Sequence, residues 1–201
     1  MAATLPSSFS ADPIEQFRRW FTDAGACPAI RHANAACLST IDLDGFPDGR
    51  MVLLKSFDAR GFVFFTNLNS AKGRSLKAVP RAALTFYWEP LKRQARIQGT
   101  AEPITDDEAD AYWKTRPRLS QIGAWASDQS ATLDRLGTFV QRLKETAKQF
   151  GTAPIVRPPY WTGLRIIPKK IEFWRERRGR LHERFVYKKQ DETWVVSRLF
   201  P

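Results

Sequence analysis

The chain has 201 residues, and its 32 Lys and Arg against 21 Asp and Glu give a formal net charge of +11 at pH 7. A hydrophobic content of 43% and a charged content of 26% are those of a globular protein, which excludes a disordered chain, and the length suits one domain. No stretch without Asp, Glu, Lys or Arg exceeds 11 residues, too few for a membrane span of ~20, and without a secretory signal at residues 1–11 a cytoplasmic location is expected.

The first half of the chain predicts helices among antiparallel strands. Asp12 is the expected cap of a helix over 13–24, with Pro13 at its first position. Runs rich in β-branched and aromatic residues follow, separated by turn signals of Asp and Gly. These runs predict strands at 35–41, 50–57, 61–66, 82–88 and 92–101, and Ser70 is the expected cap of a short helix over 70–79.

The second half predicts two helices and then three strands. Thr105 and Glu108 have the spacing of a capping box, which predicts a helix near 106–115. Apolar residues three to four positions apart predict an amphipathic helix over 131–150. Beyond a proline-rich stretch, strands are predicted at 163–174, 181–187 and 193–199. The elements together predict an α+β fold, an antiparallel β-barrel with flanking helices.

Most of the excess positive charge lies in residues 165–189, which hold ten basic and three acidic residues. Aromatic residues interleave with these charges, as they would on a surface that stacks nucleic-acid bases. The same interleaving is typical of strands with one solvated face. The charge pattern alone therefore leaves a nucleic-acid surface and an ordinary basic surface both open.

Several cations are suited to binding phosphate, because Arg and Lys make charge-assisted hydrogen bonds to it. Arg50 and Lys55 have opposite parity on one predicted strand, so they would face different sides and could bind two separate phosphates. In the segment RLHER at 180–184, the period of two places two arginines and a histidine in one row on a strand face. An exposed cationic strand without a ligand is the alternative interpretation of this row.

Signals of other protein classes are absent from the sequence. There is no glycine-rich dinucleotide fingerprint, no P-loop and no serine-hydrolase elbow. Two cysteines and two histidines are too few and too widely spaced for a metal site or a disulfide framework. The sequence therefore predicts no metal.

A series of motifs occurs in order along the chain. They are RMVLLK at 50–55, GFVFFTN at 61–67, SAKG at 70–73, LKRQARIQG at 91–99, TRPRLSQIGAWASDQS at 115–130, PPYWTGLRIIP at 158–168, IEFW at 171–174, RLHER at 180–184 and RLFP at 198–201. Together they resemble the pyridoxine/pyridoxamine 5′-phosphate oxidase family of FMN-binding split barrels. The resemblance implies a single oxidase domain over 12–201 after a flexible segment over 1–11, and a homodimer with FMN at the subunit interface.

The resemblance also implies which residues bind the two ligands. The residues expected to bind FMN are Arg50, Met51, Val52, Leu53, Lys55, Phe65, Thr66, Lys72, Gln94, Gln129, Ser130, Trp174 and Arg184, the last two from the partner subunit. The residues expected to bind the substrate's 5′-phosphate are Lys55, Tyr112, Arg116 and Ser120. Arg180 and His182 are expected to be the catalytic residues that cover the substrate's pyridine ring.

The implied reaction oxidises pyridoxamine or pyridoxine 5′-phosphate at C4′ to pyridoxal 5′-phosphate, with O2 as acceptor and H2O2 released. The flavin supplies the redox chemistry, and the protein supplies position and electrostatics. This interpretation expects small phosphorylated pyridines as substrates and neither nucleic acid nor a membrane as partner. Two alternatives stay open: a related phenazine-biosynthesis flavin oxidase, in which RLHER also occurs, and a non-catalytic basic barrel that binds nucleic acid.

The chain departs from the family's usual sequence at several positions. Ala71 stands where the family often has a second basic residue beside the lysine, which predicts weaker retention of FMN. Phe65 replaces a common tyrosine, Glu183 a common aspartate and Phe200 an alanine. The stretch before Asp12 also lacks the arm that can close over the substrate in longer members.

Overall fold

Nine antiparallel strands form one sheet in the computed structural model, which describes residue 6 and residues 9–201. The strands are β1 (Ala35–Ile41), β2 (Pro47–Leu53), β3 (Ser56–Asp58), β4 (Gly61–Asn67), β5 (Arg81–Trp88), β6 (Arg93–Pro103), β7 (Trp161–Arg175), β8 (Glu183–Gln190) and β9 (Thr193–Leu199). Their order is β2-β1-β5-β6-β7-β4-β3, and β8 pairs with both β7 and β9. The long strand β7 therefore links the part of the sheet that holds β4 to the part that holds β8.

A bulge in β6 lets the sheet bend against β7. The register shifts between Gln98 and Gly99. A Cβ atom at Gly99 would lie 1.9 Å from the carbonyl oxygen of Ile167, so only glycine permits this approach. The bend closes the sheet into a split barrel.

Five α-helices in the described part of the chain flank the sheet. They are α1 (Pro13–Ala26), α2 (Ala71–Ala78), α3 (Asp106–Thr115), α4 (Arg118–Ala126) and α5 (Leu136–Phe150). Helix α4 is missing from the sequence prediction, since its N-cap is Pro117 and no side chain caps it. The predicted helix over 131–150 begins at Leu136, because the turn before it remains irregular. No helix in residues 9–201 is long and apolar enough to cross a membrane.

Helix α1 covers one side of an aromatic core. The fully buried Phe17 packs edge-on against Phe57 and Phe62, with ring centroids 4.9 Å apart in both pairs. It also lies 5.1 Å from Phe86 on β5. Burial of such large rings is the main stabilising contribution of this layer. Helix α1 thereby fixes strands β3, β4 and β5 relative to one another.

The N-terminal segment predicted as flexible over 1–11 lies partly outside the described residues, which omit 1–5, 7 and 8. Within the described part, Phe9 is buried and packs 4.5 Å from the ring of Phe185. The hydroxyl of Tyr187 donates to the Ser10 carbonyl at 2.7 Å, and burial is the main cause that raises the Tyr187 pKa. Packing against the barrel therefore begins at Phe9 rather than at Asp12.

Two predicted strands differ from the structure in ways that affect site residues. The strand predicted over 50–57 is divided, because β2 ends at Leu53 and β3 begins at Ser56. The strand predicted over 181–187 begins later, at Glu183. Both differences fall on predicted site residues and change how they are positioned.

Candidate active site

A cleft of about 620 Å³ opens between the end of β2, strand β4 and helices α3 and α4, a volume suited to a small-molecule ligand. The residues predicted from the sequence that line it are Met51, Val52, Leu53, Lys55, Phe65, Thr66, Lys72, Tyr112, Arg116, Ser120 and Gln129. Those without a predicted role are Asn67, Thr115, Pro117, Gly123, Ala124, Ser127 and Trp161. The structure therefore brings most predicted ligand-binding residues into one cavity.

Arg116 forms the most pronounced anion-binding feature of this cleft. Its guanidinium carbon lies 4.5 Å from the ring centroid of Trp161 and 5.2 Å from that of Trp113. Its Nη1 atom is buried and has no hydrogen-bond partner among the described residues. Burial lowers the pKa of Arg116, although the group stays protonated at any ordinary pH. A buried, unpaired donor is costly, so an anion that accepts from Nη1 would be bound strongly.

An aromatic stack in the cleft lies beside a second cation, Lys55. The rings of Phe65 and Tyr112 are 4.0 Å apart and nearly parallel, and Trp161 stacks on Phe65 at 5.0 Å. Lys55 Nζ lies 5.8 Å from the centroid of the Tyr112 ring, within range of a cation–π contact. The stack therefore places Lys55 and Arg116 along one set of rings.

Ion pairs fix helix α3, which carries Tyr112. Arg157 donates to Asp106 at 2.6 Å and to the Trp161 carbonyl at 2.8 Å, and it also pairs with Asp110. These contacts tie one side of α3 directly to the start of β7. The helix bearing Tyr112 is thus joined to the strand bearing Trp161.

Arg165 makes a second attachment of α3 to the barrel. Its guanidinium donates to Glu108 at 2.8 Å and to Asp58 at 3.2 Å. Burial alone would raise the pKa of Glu108, but hydrogen bonds from Thr105 and Arg165 and the charge of Arg165 outweigh it, so that pKa is lowered. The carboxylate therefore stays ionised and keeps the attachment in place.

Lys72 lies at the other side of the cleft, on the first turn of α2. Its Nζ is 3.4 Å from the hydroxyl of Ser70, which caps the helix. Burial is the main cause that lowers the pKa of Lys72, followed by repulsion from Arg50. Gly73 permits this position, because a Cβ there would lie 2.3 Å from the Leu68 carbonyl oxygen. Lys72 is therefore a partly desolvated cation with one weak partner among the residues that the structure describes.

Arg50 does not line the cleft. Its guanidinium donates to Thr40 Oγ1 at 2.7 Å and to the Leu38 carbonyl at 3.4 Å, and it pairs with Asp48. The prediction that Arg50 and Lys55 lie on one strand is wrong, because β2 ends at Leu53. They are nevertheless separated, since only Lys55 reaches the cavity.

A second group of predicted residues lies outside the cleft, on one face of β6, β7 and β8. Gln94 is paired in register with Trp174, and Trp174 with Arg184. Arg184 donates from Nε and Nη2 to Glu172 at 2.9 and 2.8 Å, and Glu172 is buried. This row is held rigidly, but it is not part of the cavity in the same chain. Ser130 is also outside and lines a neighbouring recess with Gln129.

The predicted row of Arg180, His182 and Arg184 on one strand is wrong, because β8 begins at Glu183. Arg180 belongs to a short 3-10 turn and has a left-handed φ of 61°. His182 lies 4.7 Å from the Trp174 ring, and its Nδ1 accepts from the Arg177 backbone at 3.3 Å. His182 therefore joins the second group through Trp174, and Arg180 is exposed.

Several apolar side chains at the cleft and on the sheet near the second group remain uncovered. Met51, Leu53 and Tyr87 are 64%, 43% and 57% exposed. Tyr87 is paired in register with Gln94, so this surface adjoins the row that contains Trp174. Exposed apolar side chains beside a candidate site are a feature of protein contacts.

Trp161 is the main site residue without a predicted role. It lies within the motif PPYWTGLRIIP, which was the available signal. Its support of Arg116 could not be inferred, because the two residues are distant in the chain and meet only in the folded barrel.

Solved structures confirm the fold. The chain is similar to PhzG from Burkholderia lata 383 in complex with tetrahydrophenazine-1-carboxylic acid, with a TM-score of 0.89 at 30% identity over 99% of this chain and 98% of that one. A pyridoxamine 5′-phosphate oxidase-related, FMN binding protein from Nostoc punctiforme has a TM-score of 0.75 at 18% identity, covering 96% and 100% of the two chains. The architecture is therefore the predicted α+β split barrel.

Sequence comparisons reach closer relatives. A protein from Caulobacter vibrioides named "Pyridoxine/pyridoxamine 5′-phosphate oxidase" is 53% identical over 99% of this chain and 90% of its own length. One of the same name from Azorhizobium caulinodans is 50% identical over 94% and 90%. Residues 26–150 match the family described as "Pyridoxamine 5′-phosphate oxidase", and residues 161–201 match "Pyridoxine 5′-phosphate oxidase C-terminal dimerisation region". The chain belongs to the pyridoxamine 5′-phosphate oxidase family.

Proposed function

We propose that the protein is an FMN-dependent oxidase that converts pyridoxamine 5′-phosphate and pyridoxine 5′-phosphate to pyridoxal 5′-phosphate, with O2 as acceptor and H2O2 released. The observation that carries this proposal is the buried Nη1 of Arg116, which has no partner among the described residues and lines the same cleft as Lys72. Two separate cationic sites in one cavity match two phosphate-bearing ligands, a cofactor and a substrate. The names of relatives 47–53% identical to the chain agree with this pairing.

The residues at the β2 side of the cleft fit FMN. Lys72, Thr66 and Gln129 offer a cation and polar groups suited to a phosphate. Met51, Val52 and Leu53 offer an apolar wall suited to a flat ring, and Phe65 lies opposite on β4. FMN, when bound, supplies the ability to take hydride from the substrate and to pass electrons to O2. Arg50 and Ser130, which lie beside the cavity, are proposed to complete the phosphate site.

The side of the cleft that is formed by α3 and α4 is proposed to bind the substrate's 5′-phosphate. Lys55 and Arg116 would make charge-assisted hydrogen bonds to it, each worth ~1.5–3 kcal/mol, and Tyr112 and Ser120 line the same wall. Because the aromatic stack fixes both cations, the phosphate would be held at a defined distance from the cofactor site. Orientation of this kind is the protein's main contribution to an oxidation that a cofactor performs.

The second group is proposed to close the cleft of the other subunit in a homodimer. The dimerisation region matched at residues 161–201 contains Trp174, Arg180, His182 and Arg184. We place Gln94 in the same group, because it pairs in register with Trp174. Arg180 and His182 would then cover the pyridine ring, while the partner subunit's Trp174 and Arg184 would reach the flavin.

The domain organisation remains a proposal: one oxidase domain over 12–201. Its support is the single sheet to which all nine described strands belong. The cytoplasmic location stays a prediction from the sequence.

Oxygen consumption tests the proposed activity. Purified protein should be yellow and should consume O2 with pyridoxamine 5′-phosphate, and unphosphorylated pyridoxamine should be a far poorer substrate. A colourless protein that stays inactive with added FMN would contradict the proposal. Faster oxidation of tetrahydrophenazine-1-carboxylic acid than of either B6 phosphate would favour the phenazine alternative, which the similarity to PhzG motivates.

A further inference from the structure

Asp48 is a carboxylate within the proposed phosphate site for FMN. Along β2, exposed residues alternate with half-buried ones, and Asp48, Arg50 and Val52 share the half-buried face. Asp48 pairs directly with the guanidinium of Arg50. The other acceptors of that guanidinium among the described residues are neutral, Thr40 Oγ1 and the Leu38 carbonyl on β1.

The charge of Asp48 also reaches Lys72. Burial and repulsion from Arg50 both lower the pKa of Lys72, whereas Asp48 acts in the opposite direction. Asp48 therefore pairs with one of the cations that are proposed to hold the FMN phosphate and acts electrostatically on the other. Ala71, the first residue of α2, adds no further cation beside Lys72.

Carboxylates and phosphates bind arginine through the same guanidinium donors, so the two anions compete for one arginine. Thr40 and Leu38 already orient Arg50 from β1, and orientation alone does not require Asp48. A phosphate next to an ionised Asp48 would also be repelled by it. Both effects act against FMN.

We propose that Asp48 competes with the FMN phosphate for Arg50 and thereby limits the affinity of the protein for FMN. The inference rests on the proposed function, because it assumes that FMN occupies the cleft. Asp48 occupies part of the guanidinium of Arg50. Binding of the phosphate must then displace this carboxylate or place two anions beside one arginine.

Titration of the flavin-stripped full-length protein with FMN, followed by quenching of flavin fluorescence, tests this inference. Asp48→Asn keeps the side-chain size and removes the charge, so it should bind FMN about tenfold more tightly than the wild type. Asp44→Asn is the matched control, since Asp44 lies in the same β1–β2 hairpin and its side chain is exposed. The control should leave the dissociation constant within about twofold of the wild-type value.

Riboflavin, which has the flavin ring without the phosphate, separates a phosphate effect from a ring effect. Asp48→Asn should bind riboflavin as the wild type does, and inorganic phosphate should compete with FMN more strongly in this variant. Unchanged or weaker FMN binding by Asp48→Asn would overturn the inference, because Asp48 would then serve only to orient Arg50. An equal gain for riboflavin would also overturn it. A wild type that binds no FMN would contradict the proposed function itself.

Discussion

Two arginines mark two regions of the proposed site, and they are held in contrasting ways. Arg116 lines the cleft with aromatic rings beneath it and a buried Nη1 that has no partner in the described chain. Arg184 lies on the outer sheet face and donates twice to the buried Glu172. The first cation lacks an anion, whereas the second already has one and is fixed in direction.

This difference indicates how the site is divided between two chains. Residues of α3, β4 and β7 in one chain form most of the proposed phosphate wall. The row of Gln94, Trp174 and Arg184 does not line that cleft, and its members are paired in register on β6, β7 and β8. In the proposed dimer, such a row would act on a ligand in another subunit's cleft.

Arg116→Ala removes the cation that lines the cleft and has the largest expected effect. Loss of a charge-assisted contact to the substrate phosphate should lower kcat/KM for pyridoxamine 5′-phosphate about 100-fold. Turnover of unphosphorylated pyridoxamine should change little, since that substrate offers no anion. Stability should change little, because the lost contacts with the rings of Trp161 and Trp113 are offset by removal of a partly desolvated charge. Steady-state kinetics with both substrates and thermal unfolding measure these effects.

Lys114→Ala is the control for Arg116→Ala. Lys114 lies in the last turn of α3, which Arg116 follows directly as the C-cap. It is exposed, with no ion pair in the described residues. Its removal should leave kcat/KM unchanged. Equal losses with phosphorylated and unphosphorylated substrates in Arg116→Ala would show that Arg116 does not bind the phosphate.

Glu172→Gln tests whether the Glu172 carboxylate holds Arg184 in place. The substitution leaves Arg184 and Arg96 without their carboxylate, and it should lower the free energy of unfolding by about 2 kcal/mol. Glu176→Gln is the matched control, because Glu176 makes only an exposed pair with Lys92 and should cost less than about 0.5 kcal/mol. Urea unfolding compares the two variants. Similar losses in both would mean that Glu172 does not hold the row.

The sequence predicts most of the barrel, because strand alternation and helix caps are local signals. Asp12, Ser70 and Thr105 each cap the helix that they were predicted to cap. The errors lie where tertiary contacts decide the bounds of a strand. Strand β2 ends at Leu53, and β8 begins only after Arg180, whose backbone has a left-handed conformation.

The sequence predicts the members of the site better than their arrangement. Motif resemblance placed Lys55, Tyr112 and Arg116 together, and they do line one cleft. It could not predict that Asp48 would occupy the guanidinium of Arg50, because that contact depends on the geometry of one hairpin. Nor could it predict that Trp161 would support Arg116.

Tyr87→Glu tests whether the outer sheet face meets a second subunit. Tyr87 is exposed and adjoins Gln94, so a buried charge there should raise the dimer dissociation constant at least about tenfold. FMN retention should fall with it, because the partner's row would be lost. Leu43→Glu is the control, an exposed apolar residue in the β1–β2 turn. Sedimentation of both variants is decisive, and a fully dimeric Tyr87→Glu protein would place the interface elsewhere.

Trp161→Phe has the smallest expected effect and tests the support beneath Arg116. A phenyl ring keeps the stack with Phe65 but offers a weaker cation–π contact, worth about 0.5–1 kcal/mol less. The KM for pyridoxamine 5′-phosphate should therefore rise about threefold, with kcat nearly unchanged, because Arg116 keeps its charge and loses only part of its orientation. In an Arg116→Ala background the same substitution should have no further effect on KM. A rise in KM that persists in that background would show that Trp161 acts on the substrate by another route than Arg116.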